Sequence, residues 1–156
     1  MKLIIVSVGH KMPDWISAGF DEYARRMPRE VQILLQEIRP EPRSTGKSTA
    51  QILAAESQRI LAALPQNSLR IALDEHGIQP TTRQLSSRMQ DWMRAGCDVA
   101  FIIGGADGLH DSIKQDAHLL LALSALTLPH VFVRVLLAEQ LYRAYSLIHN
   151  HPYHRE

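Results

Sequence analysis

At 156 residues, with 46% hydrophobic and 21% charged side chains, the chain has the size and balance of one folded domain, which excludes a disordered polypeptide. Lys and Arg number 17 against 16 for Asp and Glu, so the formal charge of +1 excludes a global field that would recruit nucleic acid or an anionic membrane. Cys97 is the only cysteine, the opening MKLIIVSVGHKM has too short an apolar run for a secretory signal, and no segment approaches the ~20 apolar residues of a membrane span. The expectation is a single cytosolic domain over residues 1–156.

Leu3 to Val8 is a short β-branched run closed by Gly9, the pattern of a first strand. Pro13 suits the first turn of a helix, along which Ile16, Phe20, Tyr23, Ala24 and Met27 share one face before Pro28. Val31 to Ile38 reads as a second strand and runs into RPEPRSTGKS, residues 39–48. That loop is either a solvated connector or a basic arm for a phosphate backbone. Ser48 or Thr49 then caps a helix carrying Ile52, Leu53, Glu56, Ile60 and Leu64, with Pro65 beyond it. Leu69 to Leu73 is the third strand, followed by the polar segment DEHGIQP.

Thr81 or Thr82 caps the next helix, whose Leu85, Met89, Trp92 and Met93 form a core stripe, with Gly96 placed as its C-terminal glycine. Asp98 to Ile103 is the fourth strand, and Gly104-Gly105-Ala106-Asp107-Gly108 follows at once. The glycine loop is open to two readings, a tight structural turn or a loop that lets a ligand approach backbone N–H groups. A short helix and a fifth apolar run, His118 to Leu123, complete the alternation. The pattern predicts an α/β domain with a mostly parallel sheet and helices on both faces. Ligands of such sheets bind beyond the carboxyl ends of the strands, so Leu73, the glycine loop and the turn after Leu123 converge on one rim.

The last stretch, Leu123 to Glu156, joins a closing apolar run, one long helix and the tail HNHPYHRE. His149, His151 and His154 could offer imidazoles to a metal, although no carboxylate or cysteine accompanies them. The alternative is a tail that handles protons or contacts phosphate, if it folds back on the strand rim. From strand–helix alternation alone, a non-enzymatic flavodoxin-like nucleotide-binding or signalling module is also permitted.

Read together, MPDWISAGFDEYARRMP, IIGGADGL, SALTLPH, VRVLLAEQLYRAYSLI and the terminal NHPYHR resemble the RlmH family of SPOUT-class methyltransferases, over nearly the whole chain. The resemblance implies methylation of N3 of a pseudouridine in large-subunit ribosomal RNA by a homodimer, with a deep trefoil knot in the C-terminal half. It implies an S-adenosylmethionine site at Leu73, Gly104, Gly105 and Leu123, Ser124, Ala125, Leu126, Thr127 and Leu128, and no resident metal. On that reading His154 takes the N3 proton, Arg155 stabilises charge on the flanking carbonyls, and Tyr153 stacks on or hydrogen-bonds the base. Arg134 and Arg143 are then phosphate contacts, with helix-surface salt pairing as the ordinary alternative. A charge of +1 leaves little counterion release, so the expected substrate is the assembled ribosome rather than naked RNA.

Overall fold

In the computed structural model, which describes residues 1–44 and 46–155, the chain alternates strand and helix throughout. The elements are β1 (Lys2–Val8), α1 (Asp14–Ala24), β2 (Gln32–Ile38), α2 (Thr49–Ala63), β3 (Leu69–Ile78), α3 (Thr82–Ala95), β4 (Val99–Ile103), α4 (Asp111–Asp116), β5 (Leu119–Leu121) and α5 (His130–Ile148). Thr45 of the basic loop and Glu156 of the tail lie outside the described residues. Among the described residues no helix is long and apolar enough to cross a membrane.

The five strands form one sheet in the order β2-β1-β4-β3-β5, each neighbouring pair parallel. A flavodoxin-like sheet runs 2-1-3-4-5. Here β4 lies between β1 and β3, so the flavodoxin-like alternative has the wrong strand order.

Side chains of a strand alternate between its two faces, and β1 shows both destinations. Leu3 and Ile5 enter a core with Phe20 of α1, Leu85, Met89 and Trp92 of α3, and Leu137 and Leu141 of α5. Ile4, Val6 and Val8 enter a second core with Ile60 and Leu64 at the end of α2 and Ile113 of α4. A sheet covered on both faces needs strands that are apolar throughout, which is why β1 and β4 contain hardly a polar residue.

The N-terminal caps of α2 and α3 follow the sequence. Ser48 and Thr81 each accept from the backbone N–H three residues on, while Gln51 and Gln84 accept from the cap N–H in return. Gly96 ends α3 at φ 63°, where a side chain would be strained. The third strand differs from expectation, because it continues through the polar DEHGI to Ile78. It leaves the ladder after Leu73 in a bulge and rejoins β5 through Ile78 and Leu121, so tertiary pairing overrides weak local propensity. Gly77 is required there, since a Cβ would fall 2.6 Å from the backbone of Leu120 and Leu121. The bulge turns Asp74, Glu75 and His76 toward the rim of the sheet.

Candidate functional site

Parallel strands deliver all their carboxyl ends to one edge, and a cavity of about 440 Å³ opens there. Leu73, Gly104, Gly105, Leu123, Ser124, Leu126, Thr127 and Leu128 line it. Ala125, expected with them, does not. The three segments converge because β3 and β4 are adjacent, β5 flanks β3, and the chain turns back over the rim between β5 and α5.

The glycine loop is built as a tight turn and is also a cavity wall. Gly108 N–H donates to the Gly105 carbonyl at 3.1 Å, with Gly108 at φ 79°. At Gly104 a Cβ would lie 2.5 Å from the Gly108 carbonyl carbon, so only glycine fits the closed turn. Asp107 accepts from Nε and Nη2 of Arg43 at 3.0 and 2.8 Å, which straps the basic loop over the glycine loop. Glu41 is buried and paired with Lys47 and Arg59. The loop is therefore a docked strap whose Arg43 and Lys47 are ion-paired. Across the cavity Asp74 meets Lys114 at 3.4 Å and His76 at 3.6 Å.

Arg134, expected to meet a phosphate, is instead 0% exposed. Its Nε donates to the Ser7 hydroxyl, Nη1 to Glu37 and Nη2 to the Gly9 carbonyl, each at 3.0 Å, so it ties α5 to the ends of β1 and β2. Arg143 donates from Nε to Glu139 at 2.8 Å and lies 4.7 Å over the Tyr153 ring. The tail folds back along α5: the Tyr153 hydroxyl donates to Glu139 at 3.0 Å, and its ring sits 4.7 Å from Tyr142. Burial first, then hydrogen bonding to Glu139 and Tyr23, pushes the Tyr153 phenol well above its ordinary range, so it stays neutral.

His154 and Arg155 follow this anchor, and among the described residues none of the tail lines the chain's own cavity. The reason is length. His130 at the start of α5 lines the cavity, whereas Glu139 and Tyr142, where the tail docks, lie roughly 14 to 18 Å further along a helix that rises 1.5 Å per residue. Among the described residues no group of three or more His, Cys, Asp or Glu is arranged to hold a metal ion.

Residues 1–154 match the family described as "Predicted SPOUT methyltransferase". The chain belongs to the SPOUT methyltransferase family. It is 59% identical over 155 residues to a protein of Paraburkholderia phymatum named ribosomal RNA large subunit methyltransferase H, covering 99% of both chains. A protein of the same name from Burkholderia mallei strain SAVP1 is 60% identical over the same length. The fold is also that of a probable methyltransferase from Bordetella pertussis Tohama I, with TM-score 0.57, 15% identity and 92% and 93% of the two chains covered. A probable methylase family protein from Haemophilus influenzae Rd KW20 gives TM-score 0.55 at 13% identity, over 99% of this chain and 70% of that one.

Sequence reasoning missed His130 and Lys114 as cavity residues. For His130 the signal was present, since a residue that opens a helix immediately after the rim-crossing turn must stand at the rim.

Proposed function

We propose that this methyltransferase uses S-adenosylmethionine to methylate N3 of a pseudouridine in large-subunit ribosomal RNA, acting on the assembled ribosome as a cytoplasmic homodimer of single-domain chains. The observation that carries the reading is the backbone-lined cavity at the rim of β3, β4 and β5, in a chain that aligns end to end with relatives named for that RNA. The residues fit the methyl donor. Gly104 and Gly105 bring the closed glycine turn to the cavity wall, Leu73, Leu123, Leu126 and Leu128 supply apolar walls, and Asp74 and Glu75 supply polar ones. When bound, the donor supplies an activated sulfonium methyl. The protein's part is to align the ring nitrogen and see its proton removed.

A deep trefoil knot fits the path of the chain. The close passage of Leu120 and Leu121 behind Gly77, and the pairing of Ile78 with Leu121 beyond the bulge, support a C-terminal half drawn through the rim loops. Two features support a second copy. No residue of α5 is fully exposed although the helix carries Val131, Phe132, Val135, Leu136, Leu147 and Ile148, and a helix apolar around its circumference belongs in an interface. Trp15, 62% exposed, lies against Phe132, and Leu126 is exposed at the cavity. With cavity and tail at separate stations along α5, the tail's His154 and Arg155 complete the partner's site. Arg143 and Tyr153 hold the tail in place for that.

Purified protein incubated with radiolabelled S-adenosylmethionine and ribosomes lacking the modification is expected to label large-subunit RNA. A version ending at Asn150 is expected to bind the cofactor and leave the RNA unlabelled. Absence of both labelling and cofactor binding in the full chain would contradict the reading.

A further inference from the structure

His130 lines the cavity, and its surroundings favour the neutral imidazole. It opens α5 directly after Pro129, with its Nε2 about 4.0 Å from where a Cβ of Gly9 would stand. Gly9, at φ 127°, brings its backbone close to the guanidinium of Arg134, one helical turn on from His130, and the imidazole lies beside both. Among the described residues no hydrogen bond engages either ring nitrogen of His130, so the neutral imidazole keeps an unengaged lone pair.

The charged groups facing it come from three elements. Arg134 approaches from α5, Arg43 from the strap where it is paired to Asp107, and Glu56 from α2. Partial burial, then Arg134, then Arg43, lowers the imidazole's pKa from its ordinary value, with Glu56 opposing. Glu56 is 2% exposed; its Oε2 accepts the Glu41 N–H at 3.0 Å, and its Oε1 has no partner. A buried carboxylate oxygen without a donor costs free energy, and an imidazolium formed nearby would offset part of that cost.

We infer that His130, rather than His154 of the tail, takes the proton from the target base in the cavity of its own chain. The inference rests on the function proposed above, whose substrate is an imide N–H flanked by two carbonyls. The N–H bond breaks as the unprotonated ring nitrogen of His130 accepts the proton. The electron pair left on nitrogen forms the bond to the methyl carbon, the C–S pair remains on sulfur as the thioether, and the imidazolium later returns its proton to water. His154 and Arg155 then hold the base from the partner's tail.

The test compares wild type, His130→Gln and His154→Gln. It measures S-adenosylhomocysteine binding by calorimetry, single-turnover labelling of unmodified ribosomes from about pH 5.5 to 9, and imidazole titration by NMR in the unliganded protein. His130→Gln is expected to bind cofactor within about threefold of wild type and to lose about 10²-fold in rate at neutral pH. Its residual rate should climb about tenfold per pH unit because hydroxide becomes the base, whereas wild type stays flat over the same alkaline range. His154→Gln should lose rate and keep the wild-type profile. In the unliganded protein the His130 imidazole should titrate below the ordinary ~6.5. A His130→Gln profile parallel to wild type, or a His130 that titrates at or above the ordinary value, overturns the inference alone. Wild type that labels nothing overturns the functional reading and this inference with it.

Discussion

Replacing Gly104 by Ala is expected to abolish measurable cofactor binding while leaving a folded protein. The added methyl would fall 2.5 Å from the Gly108 carbonyl carbon and 3.0 Å from its Cα, both backbone atoms of a closed turn that cannot step aside as a side-chain tip would. The turn must open, and opening moves the wall from which Gly104, Gly105 and Asp107 face the cavity. Overpacking of this kind costs about 1–3 kcal/mol of stability, which a domain of this size tolerates. A displaced binding backbone has no such tolerance, so we expect a loss of affinity of at least about 100-fold, equivalent to about 2.7 kcal/mol. Calorimetric titration with S-adenosylhomocysteine checks the first expectation and urea unfolding the second. Binding within a few-fold of wild type would show that the turn is structural only.

Arg134→Ala is expected to have the largest effect on stability of any substitution outside the apolar core. The side chain is 0% exposed and each of its nitrogens donates inside the protein, to Ser7, Glu37 and Gly9. Removing it strands the Gly9 carbonyl and the Ser7 hydroxyl and leaves a cavity between α5 and the sheet. Glu37 is 41% exposed on its side chain, so its lost ion pair adds little. Together these give a destabilisation of about 3 kcal/mol, or a melting temperature lower by about 6–12 °C at fixed protein concentration. Arg134→Lys recovers only part of this, since an ammonium cannot reach three acceptors in three directions. A change below about 1 kcal/mol on urea unfolding would mean that the three hydrogen bonds are not formed in solution.

The strands were legible because they are buried on both faces, and uninterrupted runs such as Leu3–Val8 and Val99–Ile103 have few other uses. Caps were legible because Ser48, Thr81 and Gly96 act within four residues of themselves. Strand order was not, since nothing in the local pattern places β4 between β1 and β3. The extension of β3 was hidden for the same reason: DEHGI has poor strand propensity and is held by β5, more than forty residues away in sequence.

The site divided along a similar line. Segments whose position follows from being at the end of a strand, such as Leu73 and Gly104, could be assigned to the rim from the alternation alone. Arg134 could not be placed, because an arginine on a helix reads the same whether it faces a phosphate or the ends of two distant strands. The docking of Tyr153 onto Glu139 was equally invisible, although the two lie on one contiguous stretch. It depends on the tail reversing direction after His149, where the chain leaves helical geometry and Asn150 adopts φ 52°.

The central claim is a site divided between two chains, with the cavity from one and the tail from the other. Mixing Gly104→Ala protein, which keeps its tail, with protein ending at Asn150, which keeps its cavity, and allowing subunits to exchange tests it most directly. Each is expected to be inactive alone. If the tail serves the partner's cavity, the mixture should label unmodified ribosomes at about a quarter of the wild-type rate, since half of the dimers are mixed and each carries one complete site. If exchange is complete and the mixture stays as inactive as its components, the tail acts on its own chain and the divided site is contradicted.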